Sequence, residues 1–294
     1  MSLKKLKIPD TYNYIGCFLT LRCNLNCEYC INYFGLENRS FKNKELTGEE
    51  WVRALNRLVS RDDLPVTLQG GEPGLHPDFI WIIKNLKLEL KIDILTNLTF
   101  DIEKFIREIP PQRLKRKAPY PSIRVSYHPQ YMNLEILVKK VKRLQEAGFS
   151  IGIYGILHPA FEEEIIKAQE QCKGLGIDFR TKEFLGEYKG KLYGTYRYPD
   201  AVGNSRRKYC LCKTTELLIG PDGNVYRCHH DLYKKFPPIG NILNPAFEIE
   251  DRFRKCDQYG DCNPCDIKIK TNRFQIYGHT SVEIKEISEL SYVK

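Results

Sequence analysis

The sequence predicts an α/β protein: a partial barrel of six strand–helix units, followed by a small cysteine-bearing C-terminal domain. Three observations carry this expectation. Short β-rich runs alternate with amphipathic stretches through the first two thirds of the chain. The alternation stops near residue 185, in a Gly- and Tyr-rich segment. The eleven cysteines gather at opposite ends, at 17, 23, 27 and 30 and again at 210, 212, 228, 256, 262 and 265, with Cys172 alone between. A length of 294 residues suits one large domain plus a smaller one, expected here as 10–185 and 186–294.

The strands are expected at 15–21, 66–69, 92–96, 123–127, 151–157 and 178–184. Helices are expected between them. The first runs over 47–60, where Thr47 and Glu50 have capping-box spacing; the others cover 77–86, 101–108, 133–147 (closed by Gly148) and 161–175. Strand, helix and strand in repetition build right-handed units around a parallel sheet. The stretch GEYKGKLYGTYRYPDAVGNSRRK has no clear period and reads as a linker. In ELLIGPDGNVYRC, Pro-Asp-Gly supplies turn residues for a hairpin.

Bulk properties narrow the function. The N-terminal MSLKKLKIPDTYN has no following apolar run, and FIWII at 79–83 is too short to span a bilayer, so a soluble, cytoplasmic protein with no membrane partner is expected. In that compartment thiols stay reduced, and metal binding is a better use of the cysteines than disulfides. The formal charge of +9 suits an anionic partner. The basic runs at 113–117, 139–143 and 205–208 would serve a nucleic acid, or simply form solvated helix faces and loops.

RCNLNCEYC places Cys23, Cys27 and Cys30 directly after the first strand, at the end where α/β barrels keep their active sites, with Tyr29 beside the last thiol. Four thiolates close a tetrahedral zinc site or complete a cubane cluster, so a tight set of three leaves one metal position open; a zinc loop with a distant fourth ligand has the same spacing. One βα unit later, VTLQGGEPGLHP carries Gly70, Gly71, Glu72 and Pro73, where glycines allow close approach of a ligand and a carboxylate can accept from an ammonium group.

CNLNCEYC and GGEP together resemble the radical S-adenosylmethionine (radical SAM) superfamily. The resemblance implies a partial, TIM-like (β/α)6 barrel in which Cys23, Cys27 and Cys30 hold a [4Fe-4S] cluster. The amino and carboxylate groups of S-adenosyl-L-methionine complete the fourth iron, and reductive cleavage yields a 5′-deoxyadenosyl radical that takes hydrogen from a substrate. It also implies an external electron donor such as ferredoxin or flavodoxin, and cofactor contacts from Tyr29, Gly70, Gly71, Glu72, Pro73, Asn97 next to Thr96, and Ser126. GIYGILHP resembles a family glycine motif in shifted form, making Gly152 and Gly155 adenine neighbours by analogy. His128 and His158 near strand ends read as hydrogen-bonded loop histidines.

At the C-terminal end, Cys210 precedes Gly223 and Cys228 with a spacing similar to the SPASM and twitch extensions, which bind auxiliary [4Fe-4S] clusters. That similarity favours Cys210, Cys228, Cys262 and Cys265 as ligands, with Cys212 and Cys256 in reserve; a zinc knuckle uses the same residue types. Two clusters on seven thiolates would bring the formal charge to roughly +6. Cys17 and Cys172 fit buried apolar positions. The Tyr188, Tyr193, Tyr196 and Tyr198 segment suits stacking on a substrate or interdomain packing, and His229, His230 and Asp231 are titratable neighbours of Cys228. The function expected is an oxidation or other modification of a peptide or sugar-like small molecule. Nucleotide or RNA modification and a non-catalytic zinc-stabilised binding module are the alternatives.

Overall fold

Aliphatic and β-branched side chains covered on both faces make parallel strands, because stiff branched residues pack well between two layers. The computed structural model describes residues 4–32, 44–204, 208–270 and 279–286. In it these runs form β1 (Tyr14–Thr20), β2 (Val66–Gly70), β3 (Ile92–Thr96), β4 (Ile123–Tyr127), β5 (Ile151–Leu157) and β6 (Phe179–Glu183). They lie side by side in chain order, each pair parallel. The crossovers are α1 (Gly48–Leu55), α2 (Phe79–Asn85), α3 (Ile102–Glu108), α4 (Leu134–Glu146) and α5 (Glu162–Gly174). This is the expected partial barrel.

Local chemistry sets the helix ends. Thr47 and Glu50 form the reciprocal capping box, the hydroxyl accepting from Glu50 N at 3.2 Å and the carboxylate from Thr47 N at 2.9 Å. Asn133 Oδ1 accepts from Ile136 N at 3.0 Å, and Gly148 takes φ of 90° to end α4. The first helix stops at Leu55 rather than near 60, because Leu58–Val59 pairs with Leu6–Lys7 as a two-residue parallel ladder. One apolar core runs between sheet and helices, with Trp51, Leu55, Leu68, Ile82 and Phe105 fully buried; Cys17 and Cys172 lie inside it.

Beyond β6 the expected linker holds a small hairpin, Gly186–Tyr188 with Lys191–Tyr193. Lys189 and Gly190 both have positive φ, the two-residue turn that matches strand twist. Next come β7 (Lys208–Thr214), β8 (Glu216–Ile219), β9 (Asn224–Tyr226), β10 (Gly240–Asn241), α6 (His229–Tyr233), β11 (Arg254–Tyr259), α7 (Pro264–Ile267) and β12 (Val282–Glu286). The Pro-Asp-Gly turn joins β8 to β9, with Gly223 at φ of 79°. The C-terminal strands do not all stay apart from the barrel. β8 lies parallel beside β1, from Glu216 opposite Tyr14 to Ile219 opposite Cys17, and β9 and β10 follow, so the sheet has nine strands. Among the described residues, β7, β11 and β12 form a separate three-stranded antiparallel sheet, over a second core that includes Ala201, Tyr259, Ile267 and Val282.

Candidate functional site

The carboxyl ends of parallel strands open onto the loops that follow them, and here those loops surround a cavity of about 310 Å³. Cys23, Cys27 and Cys30 line it together with Tyr29, Gly70, Gly71, Glu72, Thr96, Asn97 and Ser126. The sequence-expected residues at the ends of β1 to β4 therefore meet in one place. Pro73 does not line the cavity; it is buried behind it at the start of a short 3-10 turn. Gly152 and Gly155 also stand outside it. A Cβ on Gly155 would meet Ile165 of α5 at 2.7 Å, and one on Gly152 would meet Pro121 at 2.7 Å, so both serve packing, while Tyr154 and Ile156 of the same strand face the cavity.

The cysteine loop is braced from several sides. Cys30 N donates to Cys27 O at 3.1 Å, Tyr131 Oη to Asn26 O at 2.7 Å, and Asn32 Nδ2 to Gly70 O at 3.1 Å. Gly71 N donates to Thr20 O at 2.9 Å and Glu72 N to Arg22 O at 2.8 Å. The glycines have a local role that the sequence does not announce. A Cβ on Gly70 would lie 1.9 Å from Thr20 O, and one on Gly71 2.2 Å from Arg22 O, so the GGEP turn can touch the cysteine loop only without side chains. Tyr29 donates or accepts with His128 Nδ1 at 2.9 Å and stacks on His158 at 5.1 Å. Burial pushes His128 down to about 4, so it is neutral near pH 7.

Glu72 is 1% exposed. Burial pushes it above its ordinary value, and the hydrogen bonds it accepts from Asn97 N at 2.6 Å, Thr96 Oγ1 at 2.7 Å and Gly74 N at 2.9 Å oppose that push in part. Asn97 Oδ1, buried in the cavity wall, has no hydrogen-bond partner among the described residues. An unused acceptor beside a buried carboxylate, across from three thiols, fits an ammonium-bearing ligand held on a metal. Burial, followed by the nearby Cys30 and Cys23, pushes the Cys27 thiol up to about 12; ionisation there requires a cation.

The second cysteine set is built by strand register. Cys210 and Cys212 are two residues apart on β7 and so share a face, and Cys256 on β11 sits opposite Cys210. Their sulfurs all lie within 4.8 Å of one another, and all three residues are buried. Cys256 is pushed below its ordinary value by hydrogen bonding from Cys210 and Cys212, with Arg227 adding. Cys212 and Cys256 also join Cys228 and Cys262 around a small cavity of about 20 Å³. The two reserve cysteines thus lie at the centre of the group, whereas Cys265 lines the large cavity. Spacing cannot reveal this, because the Cys210–Cys256 pairing is set by sheet register.

α6 and α7 connect the two sites. Asp266 accepts from the backbone N of His229 at 2.9 Å, from His230 N at 3.0 Å and pairs with His229 Nδ1 at 2.8 Å. Asn263 Nδ2 donates to Ile31 O, at the end of the cysteine loop, at 3.3 Å. Of the expected tyrosines, Tyr188 meets His158 edge-on at 4.7 Å, while Tyr196 and Tyr198 pack on the second core. The basic runs are partly structural: Arg113 donates to the carbonyls of Ile83, Leu86, Lys87 and Leu90, Arg116 pairs with buried Asp93, and Arg143 with Glu103. Residues 205–207 of the third run lie outside the described residues. No helix among the described residues is long and apolar enough to cross a membrane.

Comparisons with known proteins bear on the family and the fold. The family model of the radical SAM superfamily matches residues 18–172. The PqqA peptide cyclase of Bradyrhizobium diazoefficiens is 35% identical over 80 residues, 27% of this chain and 20% of that protein. The GTP 3′,8-cyclase of Aquifex aeolicus is 28% identical over 200 residues, 63% of this chain and 60% of that protein. The chain thus spans from a fifth to three fifths of these curated relatives. Streptococcus suis SuiB, solved bound to the precursor peptide SuiA, has a similar fold, with a TM-score of 0.54 at 16% identity over 80% of this chain and 63% of that one.

Proposed function

The chain belongs to the radical SAM superfamily, and from that premise we propose that it is a peptide-modifying enzyme whose chemistry takes place in the 310 Å³ cavity. Membership of the family brings a [4Fe-4S] cluster and S-adenosylmethionine, which when bound supply a reduced iron site and a 5′-deoxyadenosyl radical. The observation that carries the site assignment is the convergence of three thiols, Glu72 and the unpartnered Asn97 oxygen on one cavity.

In this reading Cys23, Cys27 and Cys30 hold the cluster. Glu72 and Asn97 accept from the amino group of the nucleotide, Gly70 and Gly71 keep that wall close to the cysteine loop, and Ser126 contacts the nucleotide from β4. Tyr29, locked on His128 and stacked on His158, shields the third thiol from water. The second set would hold the auxiliary cluster, with Cys212, Cys228, Cys256 and Cys262 as the grouping that the small cavity favours. The names of the PqqA peptide cyclase and the peptide-bound SuiB support a peptide substrate. The likeness to a GTP cyclase keeps nucleotide modification as the second reading.

Anaerobic reconstitution with iron, sulfide and a reductant should turn over S-adenosylmethionine to 5′-deoxyadenosine. With candidate peptides deuterated at carbon, label should appear in that product. Label arriving only from nucleotides would replace the peptide reading with the second one, and no turnover at all would remove the enzyme assignment of the cavity.

A further inference from the structure

The deep end of the cavity contains a charge imbalance. Arg116 and Arg124 are buried against a single carboxylate, Asp93, with side chains 3%, 6% and 0% exposed. Arg116 takes both oxygens of Asp93, through Nε at 2.7 Å and Nη2 at 2.8 Å. Arg124 makes one hydrogen bond among the described residues, Nη2 to Asp93 Oδ2 at 3.1 Å, and its Nε is a buried donor with no partner among them. Two cations on one anion leave a positive charge in a place where an unpaired charge costs several kcal/mol.

Of these three, Arg124 faces the cavity. Arg124, Tyr120, Tyr154 and Lys182 all line it. Tyr120 lies under both guanidiniums, 4.6 Å from Arg116 and 5.2 Å from Arg124, and the Lys182 ammonium stands 4.9 Å from the centre of the Tyr154 ring. Arg124 precedes Ser126 by two residues on β4, so it points the same way one layer deeper, about 7 Å further from the cysteine loop. A molecule reaching Arg124 therefore fills the cavity below the position assigned to the nucleotide.

We infer that this floor is an anion subsite: Arg124, backed by Arg116 and flanked by Tyr120, Tyr154 and Lys182, receives a carboxylate or phosphate group of the substrate. The inference rests on the reading of the cavity as the substrate chamber, and it names what that substrate must carry. An oxyanion in the cavity beside the Arg124 guanidinium balances the trio, a charge-assisted contact that a neutral amide of the same shape cannot match.

The test uses the reconstituted protein, kept anaerobic with S-adenosylmethionine, and titration calorimetry with three probes: N-acetylglutamate α-amide, its uncharged counterpart N-acetylglutamine α-amide, and inorganic phosphate. The glutamate probe should bind about tenfold or more tightly than the glutamine probe, and Arg124→Gln should erase that difference. Phosphate binding more tightly than the glutamate probe would assign the subsite to a phosphoryl group; the reverse order would assign it to a carboxylate. If neither anion exceeds the neutral probe, or if Arg124→Gln binds them as the parent does, the subsite is wrong. Should Arg124→Gln fail to fold, Lys182→Gln decides: a fall of about threefold or more supports the subsite, and unchanged affinity overturns it. The change in the cluster absorption spectrum when the nucleotide is added separates the two failures, because it persists if only the anion subsite is wrong and is missing if the cavity assignment itself fails.

Discussion

The two cysteine groups differ in what surrounds them. Cys23, Cys27 and Cys30 ride on a loop at strand ends and face about 310 Å³ of space, whereas Cys212, Cys228, Cys256 and Cys262 close around about 20 Å³. The first volume suits a small organic ligand, and the second leaves no room for a substrate. A loop beyond a parallel sheet leaves a metal accessible on one side, while Cys212 and Cys256, on paired antiparallel strands, are buried among their neighbours. The first set is thus suited to chemistry on a bound molecule, and the second to holding a centre that passes electrons or stabilises its small sheet.

Cys27→Ala is expected to have the largest effect on this contrast. It should lower 5′-deoxyadenosine formation at least a hundredfold and leave the iron of the second set in place. Loss of all iron would show that the two sites do not load separately. The reciprocal change, Cys212→Ala with Cys256→Ala, should remove about half of the iron and preserve the spectral response to S-adenosylmethionine. An unchanged iron content would take both residues out of the ligand set.

Gly71→Ala tests whether the first site depends on backbone contact. The new methyl group would collide with Arg22 O and push the cysteine loop away, so nucleotide affinity should fall about tenfold with the second set unaffected. Normal affinity would mean that the turn can move without cost. The smallest effect concerns pH. His128 is held well below its ordinary value by burial, so between the two values the unfolded chain binds the proton and the folded protein does not. Its contribution is complete above about pH 6.5 and is lost as pH falls toward 4; the stability of the parent should slope downward there, and His128→Gln should flatten that slope. A slope equal to that of the parent would assign the acid sensitivity to other groups.

Much of the barrel was legible because its signals are local. The runs 92–96, 123–127 and 151–157 carry enough aliphatic residues to define strands to the residue, and Thr47, Asn133 and Gly148 mark helix ends by chemistry that needs no distant partner. CNLNCEYC and GGEP were legible for the same reason. Long-range pairing was not. Nothing in ELLI says that β8 lies beside Tyr14–Thr20, and nothing in C-x-C says that Cys256 will sit opposite Cys210. Leu6–Lys7 and Leu58–Val59 are too short to have a period, and they shorten the first helix by tertiary pairing. Arg116 reads as part of a basic run and Arg124 as an ordinary strand residue until the sheet brings Asp93 between them.

The parallel contact between β1 and β8 has a consequence for how the protein comes off the ribosome. β1 is buried along its whole length, yet one of its two hydrogen-bonding edges is covered by residues that follow it by about two hundred positions. Until Ile219 has been synthesised, that sticky margin is exposed to any other nascent chain, and synthesis slowed before that point would favour clumping over assembly.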